Sequence, residues 1–203
     1  MALRLYAITP VDDHGADAPP AGIRTMPFRD LAAVVAEAPY AAPPADQATI
    51  AAHHDVMETL FAGRSLLPAP PGVTFRTAQA LQRWIELHYV ALSDALAYVD
   101  DRAGARVHVL RVPGVRVGDG TTDFAAIAAE CMRLLRRHAV AGLPLRTEPR
   151  ADAVLSSAFL VERGLWNDFA AAVQRVSADQ PGVRAELTGP WPPYDFVRIE
   201  FGG

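Results

Sequence analysis

Apolar residues alternate with polar ones along some stretches of the chain and recur every three or four positions along others. Alternation predicts strands or extended segments. They are expected at residues 3–8, 23–28, 31–38, 66–75, 105–112, 153–161, 183–187 and 196–201. The three-to-four repeat predicts helices, at about residues 46–62, 77–100, 123–141 and 165–178. The chain therefore mixes strands and helices throughout its length.

Each predicted helix has one apolar face that is expected to point inward. Asp46 is predicted to cap the first helix and Thr121 or Thr122 the third, because short oxygen-bearing side chains satisfy the free N–H groups of a first turn. The four inward faces are, in chain order, Ile50, His53, Met57 and Leu60; Leu81, Ile85, Leu92, Leu96 and Val99; Phe124, Ile127, Cys131, Leu134 and His138; and Leu165, Phe169, Val173 and Val176.

The order of these elements predicts an α+β protein of two small domains. From residue 105 onward the elements are β, α, β, α, β, β, which favours a ferredoxin-like α/β sandwich for the C-terminal domain. The run "DDRAGA" suits a boundary, since domain boundaries fall in short polar linkers. The expected domains are an N-terminal α+β domain at 1–102 and a C-terminal ferredoxin-like domain at 103–203.

Composition excludes several classes of protein. The formal net charge is −4, which argues against a nucleic-acid-binding protein with a basic face. No apolar run reaches the length of a membrane-spanning helix. A single cysteine, Cys131, excludes an internal disulfide framework and fits a reducing compartment. These features predict a soluble cytoplasmic protein without nucleic-acid or membrane partners.

The stretch "GPWPPYDFV" at residues 189–197 is the most distinctive in the chain. It lies between two predicted strands, and its first six residues are too many for a two-residue hairpin turn. Proline fixes φ and donates no backbone hydrogen bond. This segment is therefore predicted to be a rigid loop outside the ladder of hydrogen bonds, with Trp191 and Tyr194 as its large side chains.

With its flanking residues, "TGPWPPYDFV" resembles the C-terminal signature of the gas vesicle protein GvpL/GvpF family. The segments "LSSAFLVERGLWNDFAAAV", "HHDVMETL", "LLPAPPGVTF", "DLAAVVAEAP" and "LYAI" are similar to that family as well, in the same order. This chain has Pro70 and Pro71 where the family usually carries a basic residue and an aromatic residue. It is also short after "VHVLRV".

The resemblance implies a structural or accessory protein of gas vesicles that binds the small hydrophobic shell protein (GvpA type) and supports vesicle assembly, with other accessory proteins as further partners. It implies a location at the gas vesicle in the cytoplasm, and neither catalysis nor a cofactor. The residues expected to bind the partner are Leu66 and Leu67 on the proline-stiffened segment, and Trp191 and Tyr194 in the signature. Placement in the core is the alternative for the apolar residues of that segment.

Four motifs could in principle carry other chemistry, but an ordinary structural role explains each of them better. His54 and Glu58 are four residues apart on a helix and could share a metal, but no third ligand follows at a recognisable spacing. The run "VGDGTTD" precedes a helix but lacks the lysine of a phosphate-binding loop. Cys131 lies within a helical stripe, which favours a buried thiol over a nucleophile. Pro190 and Pro193 match a Pro-x-x-Pro ligand, although their position between strands favours internal packing.

Two other functions remain open at this stage. Ferredoxin-like domains often bind small ligands and regulate other proteins, so a ligand-binding regulatory domain is the second hypothesis, by analogy of fold alone. An enzyme is the third hypothesis. It ranks last because no segment brings together a nucleophile, a base and an orienting residue.

Overall fold

The computed structural model describes residues 1–11, 20–40, 46–62, 64–114, 123–145, 152–180, 182–197 and 199. The chain forms two compact units. The first contains Met1–Asp101 together with the segment that begins at Pro192, and the second contains Arg102–Trp191. The mixture of helices with antiparallel sheets confirms the predicted α+β class.

The first unit is a sheet packed against a long helix. Its elements are β1 (Ala2–Pro10), β2 (Ile23–Phe28), β3 (Leu31–Ala38), α1 (Gln47–Phe61), β4 (Leu67–Pro68), β5 (Thr74–Phe75) and α2 (Ala78–Val99). The strands run in the order β2-β3-β1-β4, β5 also pairs with β1, and all pairs are antiparallel. The predicted inward face of α2 is buried in the core of this unit, because five apolar residues in a 22-residue helix define one face clearly.

The helix α1 begins as the sequence predicts, although its buried face is shorter. The Asp46 side chain accepts a hydrogen bond from the Thr49 N–H, which caps the first turn. His53, Met57 and Leu60 are buried as expected. Ile50 is 41% exposed, so its predicted inward position is wrong: it lies in the first turn, and burial begins one turn later.

The second unit contains β6 (Arg102–Arg111), α3 (Phe124–Leu135), β7 (Ala141–Pro144), β8 (Ala153–Glu162), α4 (Trp166–Asp179) and β9 (Val183–Trp191). Its antiparallel strands run in the order β7-β8-β6-β9. The element order βαββαβ is consistent with a ferredoxin-like sandwich. Its core is formed by one face of the sheet together with the apolar faces of α3 and α4.

Three details of the second unit differ from the sequence prediction. Asp123, not Thr121 or Thr122, caps α3 by accepting from Ala125 and Ala126, while 115–122 lie outside the described residues. The helix ends at Leu135 and a 3₁₀ turn follows, whose three-residue period moves His138 out of the stripe to the surface. Leu165 is 47% exposed because it ends a 3₁₀ turn before α4 rather than lying on α4 itself.

The strand β7 was missed from the sequence because four residues carry too little pattern. It forms an edge of the sheet that offers few free backbone groups. The Arg136 guanidinium donates through Nη2 to the Gly142 carbonyl oxygen at 2.6 Å, and Pro144 has no N–H to donate. Such features protect an exposed edge against pairing with another strand.

The C-terminal segment differs most from its prediction. Residues Gly189–Trp191 are not a loop: they continue β9, and Trp191 pairs with Gly104 across a register shift in the ladder. Proline is tolerated on an edge strand beside such an irregularity. Phe196 lies in the 3₁₀ turn Tyr194–Phe196 rather than in the strand predicted for 196–201, of which 198, 200 and 201 lie outside the described residues.

This segment also changes the expected division of the chain. Val197 and Ile199 pack against the core of the first unit, so the segment from Pro192 belongs there and not to a domain at 103–203. Arg102 already begins β6, and the turn before it is made by Asp100 and Asp101, whose φ is 50°. The alternation of residues 197 and 199 correctly marks inward positions, but a pattern does not say in which core they lie.

Candidate functional site

Leu66 and Leu67 are the first pair of predicted partner-binding residues, and both lie in the interior. Their side chains are 1% and 0% exposed. Leu67 pairs with Ile8 on β1 and belongs to the core of the first unit. Both leucines are therefore core residues, which is the alternative given for this segment above. They offer no surface to a partner in this conformation.

The same extended segment contains the two prolines that depart from the GvpL/GvpF pattern. Pro70 and Pro71 are exposed and enter a turn in which the Val73 N–H donates to the Pro70 carbonyl oxygen at 3.4 Å. Gly72 completes the turn with φ of 96°, a conformation that glycine adopts without strain. The prolines thus shape a surface turn between β4 and β5.

Trp191 is held at the end of β9 in the second unit. Its side chain is half-buried, and the indole Nε1 donates to Thr188 Oγ1 at 3.2 Å. The residues between them, Gly189 and Pro190, are exposed. The end of this strand therefore presents a short apolar surface next to an aromatic ring whose polar atom is already satisfied.

The chain enters Trp191 through a backbone conformation that Gly189 makes possible. Its φ is +124°, which side-chain-bearing residues rarely adopt. A Cβ at this position would lie 2.8 Å from the Gly104 carbonyl oxygen and 2.8 Å from Trp166 Cη2. Because the backbone and an indole ring approach so closely, only glycine fits.

Tyr194 belongs to the first unit, where it contacts α1. Its ring meets the ring of His54 edge to face, with centroids 6.5 Å apart. The phenolic oxygen is buried and has no hydrogen-bond partner among the described residues. Burial raises the pKa of Tyr194 to about 12. The hydroxyl therefore stays protonated at neutral pH.

His53, the residue before His54, points inward from α1. Its Nε2 lies 3.2 Å from the Ala69 carbonyl oxygen, a contact that requires the proton on Nε2. The ring is 4% exposed. Burial lowers the pKa of His53 to about 4, the hydrogen bond to Ala69 opposes this, and the nearby positive groups His54 and Arg4 lower it further. His53 is thus a neutral core histidine, as its position on the stripe suggests.

The predicted partner-binding residues are divided between the two units. Leu66, Leu67 and Tyr194 lie in the first unit, whereas Trp191 ends the last strand of the second. The signature spans the point at which the chain passes from one unit to the other. Sequence spacing alone could not show this.

The remaining candidate chemistries find little support. Within the described ranges, no three histidine, cysteine, aspartate or glutamate side chains are placed to hold a metal ion. Cys131 is buried, and burial raises the pKa of its thiol, which disfavours the reactive thiolate. None of the helices in the described ranges combines the length and hydropathy needed to cross a membrane.

Among the surface grooves formed by described residues, two lie in the second unit at positions that bear on function. One, of about 310 Å³, is lined by residues of α3, β7 and β8, is largely apolar and includes Arg133 and Arg136 in its lining. The other, of about 280 Å³, has Phe169 among its apolar lining residues, with Arg137 and His138 from one segment and Glu162 and Asp168 from another. The second groove combines apolar surface with charges of both signs.

The two most exposed large apolar side chains of α2 lie outside the inward face predicted from the sequence. Leu87 and Val90 are 81% and 70% exposed. Neither falls on the inward stripe predicted for that helix. The signal for them in the sequence is the presence of large apolar residues at positions outside that stripe.

Comparison with known proteins places the chain in a family. The family model described as "Gas vesicle synthesis protein GvpL/GvpF" matches residues 2–117 and 120–198. The chain belongs to the GvpL/GvpF family. Membership associates this GvpL/GvpF protein with gas vesicles and confirms the resemblance carried by its segments.

Individual relatives agree with this assignment. Gas vesicle protein F2 of Halobacterium salinarum is 28% identical over 186 residues, covering 88% of this chain and 81% of the relative. Gas vesicle protein L of a Streptomyces species is 39% identical over 98 residues, which is 44% of this chain and 35% of the relative. Both GvpF and GvpL proteins are thus similar to this chain.

Solved structures share the fold. The crystal structure of GvpF from Anabaena superposes with a TM-score of 0.80 at 14% identity, covering 98% of this chain and 97% of that one. GvpF from Microcystis aeruginosa gives 0.75 at 13% identity, covering 98% and 99%. The α+β architecture is therefore that of GvpF over nearly the whole chain.

Proposed function

We propose that this GvpL/GvpF protein supports gas vesicle assembly by binding the small hydrophobic shell protein (GvpA type) directly, without nucleotide, metal or catalysis. The observation that carries this proposal is the family match over residues 2–117 and 120–198. Other accessory gas vesicle proteins are further partners in this proposal, and the vesicle in the cytoplasm is its proposed location.

The physical need for such a protein follows from the nature of the shell. A small hydrophobic protein exposes apolar surface before the wall closes, and exposed apolar patches lead to aggregation. A partner with a complementary patch covers that surface and gives growth an ordered starting point. Rigid contact residues favour such binding because little conformational entropy is lost on docking.

The end of β9 suits this task best among the predicted residues. Trp191 is partly accessible there, its indole N–H donates to Thr188, and the Gly104 carbonyl and the Trp166 ring pack closely around Gly189. Tryptophan is enriched among residues that dominate binding energy. Tyr194 is a weaker candidate, because its hydroxyl is buried, and the buried leucines are no longer included.

Co-expression of the shell protein with tagged variants tests the proposal. With chelator and reducing agent present, the shell protein should co-purify with the wild type and much less with Trp191→Ala. Tyr40→Ala is the matched control, since Tyr40 is a 54% exposed aromatic residue outside the signature. Equal recovery with all three proteins would remove Trp191 from the contact, and no recovery with any of them would contradict direct binding.

A second experiment separates assembly from permanent residence. Purified vesicles are washed with denaturant and probed for this chain. Retention after washing supports a component of the wall. If deletion of the chain leaves vesicle number and shape unchanged, the proposed role in assembly is wrong.

A second function is a ligand-binding regulatory role for the ferredoxin-like unit. It is favoured by the groove lined by Arg137 and His138 on one segment and by Glu162 and Asp168 on another. Opposite charges beside apolar surface suit a zwitterion with an apolar side chain, such as a free amino acid. Thermal shift with a panel of amino acids tests it: a rise abolished by Asp168→Asn supports the idea, and no shift with any of them contradicts it.

A further inference from the structure

The surface of α2 that faces away from the core carries two neighbouring apolar side chains. Leu87 and Val90 are 81% and 70% exposed. They are three residues apart and hence adjacent on the helix surface. Single exposed apolar residues are common in proteins. A leucine and a valine side by side, each more than two-thirds exposed, form the start of a contact surface.

This surface continues along the helix with a regular spacing. Arg83, Leu87, Val90, Asp94 and Ala97, here named the α2 seam, follow one another at intervals of 4, 3, 4 and 3 residues and are all exposed. Alternating intervals of four and three mark the contact line between paired helices in coiled coils. Within the described residues, the Arg83 and Asp94 side chains have no hydrogen-bond or ion-pair partner.

We propose that the α2 seam is an interface on which a second copy of this chain docks, with the two helices antiparallel. A two-fold axis between positions 88 and 89 places Leu87 opposite the partner's Val90 and Val90 opposite the partner's Leu87. The same axis places Arg83 opposite the partner's Asp94. The pairing is self-complementary, as an interface between identical subunits must be.

Charge selects this orientation over the other one. In a parallel pair, each Arg83 would face the partner's Arg83 and each Asp94 the partner's Asp94, which adds repulsion at both ends of the apolar pair. The antiparallel pair converts both repulsions into attractions. Electrostatic complementarity of this kind fixes orientation and rejects other arrangements more than it adds affinity.

The expected association is weak in dilute solution. One pair of helices with two large apolar residues from each chain buries less than the roughly 1,200 Å² typical of stable complexes. Exposed ion pairs add little, at most about 1 kcal/mol each. The dimer should therefore depend on concentration and become important where many copies gather on one surface, which raises their effective concentration.

Sedimentation equilibrium of the full chain at about 10 µM to 1 mM, the range expected for a small interface, tests the proposal. The wild-type average mass should rise above the 21.8 kDa of one chain as concentration increases. Arg83→Asp alone and Asp94→Arg alone should remain near the monomer mass. The double variant restores opposite charges and should associate like the wild type, as should an equimolar mixture of the two single variants.

Leu87→Glu should abolish association, whereas Leu165→Glu, at a 47% exposed leucine in the second unit, should leave it unchanged. Thermal melting shows that each variant is folded. The proposal is overturned if the wild type stays monomeric at the highest concentration. It is equally overturned if Leu87→Glu still associates, or if the double variant and the mixture stay as monomeric as the single variants.

Discussion

The rings of Tyr6 and His53 lie stacked in the first unit, with centroids 5.2 Å apart and planes inclined by 17°. Tyr6 is on β1 and His53 is on α1, so the stack joins the sheet to the helix. Because the histidine is neutral, the contact places two flat, largely apolar rings together in the core. Protonation of the imidazole would introduce a buried charge into this contact.

The stack makes the first unit sensitive to acid. The pKa of His53 is lowered from 6.5 to about 4, so the unfolded chain binds a proton more readily than the folded one. Stability from this group is complete above pH 6.5 and is lost as pH falls toward 4, by about 3 kcal/mol in total. His53→Gln should therefore show a smaller loss of stability between pH 7 and 4.5 in urea unfolding.

The neighbouring His54 provides the matched control for this prediction. It is exposed on the same helix and is one of the positive groups that lower the pKa of His53, so His54→Gln should reduce the loss of stability in acid far less than His53→Gln does. If the His53 and His54 variants lose stability equally on acidification, His53 is not the group that titrates.

Replacement of Tyr194 distinguishes its ring from its hydroxyl. The hydroxyl is buried without a hydrogen-bond partner in the described part of the chain, which is a cost to the folded state. Tyr194→Phe should therefore leave the free energy of unfolding unchanged or raise it by up to about 1 kcal/mol. Tyr194→Ala should lower it by about 2–3 kcal/mol, because the contact with His54 is lost. A marked loss of stability in the Phe variant would reveal a role for the hydroxyl.

Gly189→Ala should destabilise the protein by about 1–3 kcal/mol or more, because the new Cβ meets backbone and indole atoms at a positive φ. Gly164 gives a clean comparison: nothing lies within 4 Å of a Cβ built there. Chemical denaturation of both variants measures the difference. Comparable stabilities for the two would show that the end of β9 adjusts freely, and the rigid contact surface around Trp191 would lose its physical basis.

The two compact units are proposed to be independently stable domains, and fragments test this. A fragment of residues 102–191 should unfold cooperatively, because its core is complete within that range. A fragment of residues 1–101 should be less stable, since Val197 and Ile199 are missing from its core. Adding a peptide of residues 192–203 should raise its melting temperature. No effect of the peptide, or a non-cooperative 102–191 fragment, contradicts this division.

Long regular patterns in the sequence predicted most of the fold. Leu81, Ile85 and Leu92 were recognised as core residues because α2 is long enough for its period to be unambiguous. Short or terminal elements were not predictable in this way. The strand β7 has four residues, and Leu165 precedes a helix whose period it does not share.

The candidate site was harder to predict for a different reason. An apolar residue such as Leu67 fits a core and a contact surface equally well, and only burial separates the two. Residues close together in the signature belong to different units. Trp191 ends β9 in the second unit, whereas Tyr194 contacts His54 on α1 in the first. Periodicity in the sequence describes local structure. The burial of a residue and the unit to which it belongs depend instead on contacts with distant parts of the chain.

The return of the chain to its first unit has a consequence for synthesis. A ribosome delivers β1 to α2 first, but Val197 and Ile199, which complete that core, are the last described residues to emerge. All the core residues that pack with β6 to β9 emerge before those two residues. The half of the protein that is translated second should therefore be the first to finish folding, and the half that is translated first should remain open until Val197 and Ile199 have emerged from the ribosome.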